Sequence, residues 1–213
     1  MLAETPQLSL WSGAFGDDYV ARNEATPPNI QTLTRMWARM LSPLRPKPGT
    51  ILEVGANIGL NLRAIRRLSD ASITAVEPNA AARARLAADK VADVVVEGSA
   101  STLPFADDSF GLVFTAGVLI HIHPDHLAVG MREMHRVASR HILCVEYFST
   151  HPREIVYRGN AGALFTCDFG KRWMEAEPGL RLVDHGFFWT GAGDLDDMNW
   201  WLFEKPHSPA ASN

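Results

Sequence analysis

Between residues 50 and 62 the chain passes from a strand to a helix across two glycines. Thr50-Ile51-Leu52-Glu53-Val54 is a short apolar, β-rich run behind the breaker cluster Pro46-Lys47-Pro48-Gly49. Leu60, Ala64, Ile65 and Leu68 then recur at helical spacing. The stretch therefore reads as a buried strand, a glycine-rich turn and a helix start in direct succession. Glycines there let the backbone bend tightly and let a ligand approach with no Cβ in the way, while the helix start offers unpaired N–H groups. The turn is expected to be a ligand site. The plainer alternative is a turn whose glycines serve only the bend.

The spacing says which ligands to consider. The dinucleotide fingerprint is G-x-G-x-x-G, with pyrophosphate at the helix N-terminus. Here the pattern is E-x-G-x-x-x-G, formed by Glu53, Gly55 and Gly59, with Asn57 in the middle. A carboxylate at Glu53 would repel a pyrophosphate, but it would attract an ammonium group or accept from a hydroxyl. In these residues the turn resembles the first motif of class I S-adenosylmethionine-dependent methyltransferases. That resemblance makes Glu53, Gly55, Ala56, Asn57 and Gly59 expected cofactor contacts.

Length and composition narrow the setting. A chain of 213 residues with 46% apolar content and net charge -4 suits one medium globular domain able to bury a core. No apolar run reaches the roughly 18 residues of a membrane span. The start of the chain, with Glu4, Pro6 and Gln7, lacks the layout of a secretory signal. The expectation is a cytoplasmic protein. Cys144 and Cys167 are too few for a disulfide framework or a zinc cluster and read as buried thiols, so no metal is expected. Arg63, Arg66 and Arg67 follow helical spacing as a solvated face, which argues against nucleic acid as a partner.

Taken in order, residues 1–49 hold no convincing strand and read as a helical N-terminal cap, with Ile30, Leu33, Met36, Trp37, Met40 and Leu41 as its apolar stripe. Within it, Trp11 to Asn23 mixes aromatics, glycines and charges beyond what an amphipathic helix needs. Two readings stand for it: a packed aromatic anchor, or a lid whose Trp11 and Tyr19 face a sulfonium cation while Arg22 meets a carboxylate. Ser72 to Val76 reads as a second strand ending at Glu77-Pro78-Asn79. A carboxylate can accept from both hydroxyls of a ribose, and Glu77 lies 24 positions after Glu53, the spacing of alternating strand and helix units. Glu77, Pro78 and Asn79 are thus further expected cofactor contacts. Val94 to Val96 is a third strand, followed by Ser99, where related proteins often carry an aspartate near the adenine.

Phe110 to Phe114 is the fourth strand, and Thr115, Gly117 and Val118 at its end belong to the topological switch region where ligands collect. His121 in the same loop is either a proton acceptor near the reacting carbon or a histidine satisfying a backbone group. Pro124 to Val137 reads as a helix and Ile142 to Phe148 as a fifth strand whose end brings Glu146, Tyr147 and Phe148 to the same cleft. Residues 149–170 read as a loop-like, substrate-facing insertion. Leu180 to Trp189 and Asn199 to Lys205 read as closing strands, and residues 206–213 as a disordered tail.

From Trp11 to Lys205 the chain resembles the bacterial pseudaminic acid biosynthesis-associated methylases. The residues that carry this are Trp11 with Gly13-x-Phe15-Gly16-Asp17-x-Tyr19-x-x-Arg22-Asn23, Leu52 to Leu62, Gly117 to Ile122, Glu146-Tyr147, Tyr157-Arg158-Gly159 and Trp201 to Lys205. The resemblance implies a Rossmann-like fold over residues 50–205 that uses S-adenosylmethionine. The expected architecture is a seven-stranded, mostly parallel sheet with one antiparallel strand near Asn199 to Glu204. Tyr19, His121, Tyr147 and Tyr157 are the candidate catalytic side chains, with Arg158 and Asn23 as candidate substrate contacts.

The reaction stays open at this level. A sulfonium has three electrophilic carbons, and positioning decides which is attacked. Methyl transfer to a small-molecule acceptor is the first expectation. Proteins similar to this family include azetidine-2-carboxylate synthases, in which the amino acid's own amine closes a ring and releases 5′-methylthioadenosine. A non-catalytic module that binds S-adenosylmethionine is the third reading. Oligomeric state is not readable.

Overall fold

The computed structural model describes residues 4–206; Met1, the two residues after it and residues 207–213 lie outside the described part, so the reading of a disordered tail falls largely there. The chain opens with three helices, α1 (Pro6–Ser12), α2 (Ala14–Arg22) and α3 (Pro27–Leu41). The hydroxyls of Thr5 and Thr26 cap α1 and α3, each ahead of a proline whose missing N–H costs nothing at a helix start. The three helices are not one cap. Helix α3 buries Ile30, Leu33, Met36, Trp37 and Met40, whereas α1 buries nothing and α2 only Gly16 and Val20.

Next come β1 (Thr50–Val54), α4 (Leu60–Ile65), β2 (Ser72–Glu77), α5 (Ala80–Ala88), β3 (Val94–Glu97) and β4 (Phe110–Ala116). A single 3₁₀ turn at Leu119–His121 leads to α6 (Pro124–Val137) and β5 (Ala138–Glu146). The chain finishes with β6 (Arg153–Tyr157), β7 (Asn160–Thr166), α7 (Phe169–Ala176), β8 (Arg181–Phe188) and β9 (Met198–Glu204). Seven strands form one sheet in the order β3-β2-β1-β4-β5-β9-β8. β9 alone runs antiparallel to both of its neighbours, because the short connection from β8 leaves no length for a parallel crossover. The expected seven-stranded, mostly parallel Rossmann-like sheet is therefore the sheet found.

Each central strand is apolar on both faces because both are covered. Ile51, Ile73, Leu112, Phe114 and Leu143 pack with α3, where the Trp37 and Phe114 rings lie 4.5 Å apart. Leu52, Val76, Val113 and Ile142 pack on the other side with Leu127, Met131 and Met134 of α6 and Trp173 of α7. Three segments depart from expectation. β4 runs on to Ala116 and β5 occupies Ala138–Glu146 rather than Ile142 to Phe148. The stretch read as a loop from residue 149 is a hairpin of β6 and β7, followed by α7. Arg153 to Val156 are all exposed, so β6 shows no alternation of polarity, and the hairpin is fixed instead by Arg158 and Gly159, with φ of 48° and 84°. No helix among the described residues is long and apolar enough to cross a membrane.

Candidate functional site

A cavity of about 240 Å³ lies at the carboxyl ends of β1, β2 and β4, under α1 and α2. Its floor is the turn after β1, where Gly55, Asn57 and Gly59 all take left-handed φ values of 78°, 48° and 74°. The N–H groups of Gly55 and Ala56 donate to the Val76 carbonyl at 2.8 and 3.2 Å, which ties the turn to β2. A Cβ on Gly55 would stand 2.6 Å from Cγ2 of Val118, and one on Gly59 would meet Leu86 and Val91. Glycine is thus required at both places by packing and backbone conformation alone.

Glu77 ends β2 with a buried carboxylate held from two sides. Oε2 accepts from the Asn57 N–H at 2.7 Å and Oε1 from the Asn79 N–H at 2.8 Å. Burial pushes its pKa up, and these two amides together with Arg83 pull it back. The carboxylate still forms part of the cavity wall. Glu53 behaves differently. It is buried outside the cavity lining, and Oε1 accepts from Asn61 Nδ2 at 2.8 Å while Oε2 has no partner among the described residues. Burial drives its pKa well above the ordinary carboxylate range. Asn61 does line the cavity, and its Oδ1 accepts from the Trp37 indole N–H at 3.0 Å.

Trp11 and Tyr19 close the cavity, their rings edge to face at 5.2 Å. The Trp11 ring also lies 4.4 Å from His121 and 6.5 Å from Tyr157, and its indole N–H is buried with no partner among the described residues. Polar contacts fasten these helices down: Asn79 Nδ2 donates to Asp17 at 2.8 Å, and Gln7 Nε2 donates to the Gly162 carbonyl at 3.0 Å. His121 Nδ1 stands 2.6 Å from the Ala163 carbonyl. A carbonyl can only accept, so Nδ1 is assigned the hydrogen and Nε2 the lone pair. Burial lowers the His121 pKa to about 4, so the ring is neutral at pH 7.

The fold brings most of the sequence-derived residues to this cavity. Trp11, Tyr19, Asn23, Gly55, Ala56, Asn57, Glu77, Pro78, Asn79, Ser99, Gly117, Val118 and His121 line it. Glu53, Gly59 and Thr115 lie behind the lining. Arg22 and Arg158 stay outside it, each 5.7 Å from the centre of a tyrosine ring, Tyr19 and Tyr157 respectively. Tyr157 packs behind Trp11 in the aromatic cluster, and the Tyr147 hydroxyl donates to Asp196 at 3.1 Å beside a separate, open groove. Ser99 lies 2.9 Å, oxygen to oxygen, from Ser101, a second hydroxyl on the wall that sequence reasoning passed over. Gln7, Asn61, His123 and His126 also line the cavity unforeseen, and only their place in the fold reveals them. Among the described residues no cluster of three or more His, Cys, Asp or Glu is arranged to hold a metal ion.

Residues 52–143 match the family described as a methyltransferase domain. No curated protein is similar enough in sequence to match. Among solved structures the fold is similar to Burkholderia thailandensis 1,6-didemethyltoxoflavin-N1-methyltransferase, solved with 1,6-didemethyltoxoflavin and S-adenosylhomocysteine. That likeness has TM-score 0.67 and 18% identity over 93% of this chain and 85% of that one. It is also similar to magnesium protoporphyrin IX methyltransferase from Synechocystis with bound S-adenosylmethionine, at TM-score 0.69 and 9% identity, over 97% and 100% of the two chains. A Haloferax volcanii chain, from a complex with a methyltransferase activator, has TM-score 0.70 and 16% identity over 91% and 96%. The matched methyltransferase domain thus spans β1 to β5, and the solved structures share the fold.

Proposed function

We propose that the protein is an S-adenosylmethionine-dependent transferase that moves the methyl group to a small-molecule acceptor. The observation that carries this reading is Glu77, a carboxylate in the cavity wall aimed by two backbone amides. Each of its oxygens keeps a lone pair for a second donor, which suits the two adjacent hydroxyls of a ribose. Ser99 and Ser101, with Ala100 and Ile122 beside them, fit an adenine. Asn23 and Asn61 fit the polar amino acid end.

When bound, S-adenosylmethionine supplies an electrophilic sulfonium. Trp11 and Tyr19 present aromatic faces that attract a cation and are poor nucleophiles. His121, neutral at the wall, accepts a hydrogen bond through Nε2 and orients an acceptor. With its pKa lowered to about 4 by burial, His121 orients an acceptor rather than deprotonating it, and the acceptor best served is a weakly basic amine, uncharged at neutral pH.

One observation favours ring closure of S-adenosylmethionine itself as the second reading. Trp11 and Tyr19 close the cavity with their rings edge to face at 5.2 Å, an enclosure that excludes a competing acceptor. One experiment separates the readings: incubation with S-adenosylmethionine, alone and with a panel of small amines, followed by mass spectrometry. Methyl transfer gives S-adenosylhomocysteine only when an amine is supplied. Release of 5′-methylthioadenosine with a new cyclic amino acid from S-adenosylmethionine alone selects ring closure. Binding without either product overturns both.

A further inference from the structure

The cavity wall after β4 is held from behind by one side chain that forms no part of the cavity lining. Glu146 is the last residue of β5 and is fully buried. Its Oε1 accepts from the N–H groups of Val118 and Leu119 at 3.2 and 3.0 Å, and its Oε2 from that of Ile120 at 3.4 Å. Three consecutive amides of one turn thus converge on one carboxylate. That turn carries Gly117, Val118 and His121 to the cavity, and Val118 is the side chain seated against Gly55. The turn after β1 and the turn after β4 therefore interlock at Val118, and Glu146 fixes the second against the first.

We propose that Glu146 is a positioning residue for the cofactor cavity, its carboxylate clamping the backbone of Val118 to Ile120 so that the wall residues meet the ligand in one arrangement. This rests on reading the cavity as the S-adenosylmethionine site. A neutral helix cap or an apolar residue would suffice to end a strand, whereas a buried charge is costly and persists where its hydrogen bonds fix a geometry.

The groups that face Glu146 are the Thr115 hydroxyl from β4, Cys144 from its own strand and Cys167 beyond β7. Both thiols are pushed up by burial and stay protonated near neutrality. No Lys or Arg among the described residues pairs with Glu146, so desolvation outweighs the amides and its pKa lies at about 7. Two consequences then run in opposite directions. As pH rises from 5 to 8 the buried carboxyl must ionise, which lowers stability, because the native state holds a proton there that the unfolded chain has already lost. The same ionisation strengthens the bonds from the three amides, which orders the turn and favours ligand.

The test compares wild type with Glu146→Gln and Glu146→Asp. The readouts are S-adenosylhomocysteine affinity by calorimetry, protection of the Val118, Leu119 and Ile120 amides by hydrogen exchange, and melting temperature, each at pH 5.5 and 8. In wild type, affinity and protection should rise with pH while the melting temperature falls relative to the glutamine variant. Glu146→Gln should bind about tenfold more weakly at pH 8, with both pH trends flattened. Glu146→Asp keeps the charge but withdraws it from the turn, and should lose protection at all three amides. A merely structural residue would move stability and affinity together, and that result overturns the proposal. Unchanged amide protection in Glu146→Gln overturns it as well. If S-adenosylhomocysteine fails to bind wild type, the cofactor reading falls, and amide protection alone still decides the clamp.

Discussion

His121 and Glu146 are both titratable groups pushed towards neutrality by burial, and the push has opposite signs for stability. The neutral form of His121 is favoured because the ring is nearly enclosed and Nδ1 is committed to the Ala163 carbonyl. Its folded pKa, about 4, lies below the ordinary 6.5. The unfolded chain therefore takes up a proton first as pH falls, and stability present above pH 6.5 is lost towards pH 4. By pH 5 that loss amounts to about 2 kcal/mol. Urea unfolding at pH 7 and 5 should show wild type losing that much more than His121→Gln. Equal losses would mean the ring is solvated. At this scale the sequence pointed to Glu77, because an acid closing an apolar strand is a local signal, and the fold sets that residue in the cavity wall. Glu146 gives the same signal at the end of β5. The sequence marked Arg22 and Arg158 by their charge, and in the fold both guanidinium groups lie near tyrosine rings away from the cavity lining.

At the scale of elements, the strands and the glycine turn were legible because burial on two faces writes itself as continuous apolar runs. The hairpin of β6 and β7 was not, since Arg153 to Val156 face solvent and leave no period. Arg158-Gly159 between two β-prone segments was the available signal, a pair whose positive φ values make a tight reversal. That hairpin matters because Gly162 and Ala163 on β7 receive Gln7 from α1 and the His121 ring. Helices α1 and α2 bury only Gly16 and Val20 and are held by the aromatic cluster around Trp11 and a few side-chain hydrogen bonds, so they open more easily than α3. Hydrogen exchange should find both helices fast without ligand and markedly slower with S-adenosylhomocysteine, while α3 stays protected throughout. Equal protection of α1, α2 and α3 in the free protein would contradict a lid.

Over the whole molecule, the first 49 residues divide between two jobs, which helical periodicity alone does not separate. α3 is a layer of the core, with Trp37 1% exposed against Phe114 of β4, whereas α1 and α2 lie over the cavity. Removing residues up to Ala25 should leave a cooperatively melting domain that no longer holds ligand. Removing all of 1–49 should abolish folding, since losing one buried Trp of this kind already costs about 3–5 kcal/mol. A folded product from the longer deletion, judged by circular dichroism and melting, would show α3 to be dispensable. The sheet order and the cavity position both follow from the strand and helix succession that the sequence displays, and the remaining question is what the cavity holds. Calorimetric titration with S-adenosylhomocysteine answers it most directly. Wild type should show saturable one-to-one binding, and Glu77→Ala should weaken it by about 1–3 kcal/mol through loss of charge-assisted hydrogen bonds, with the melting transition kept. No saturable binding to wild type, or equal affinity in Glu77→Ala, would contradict the account.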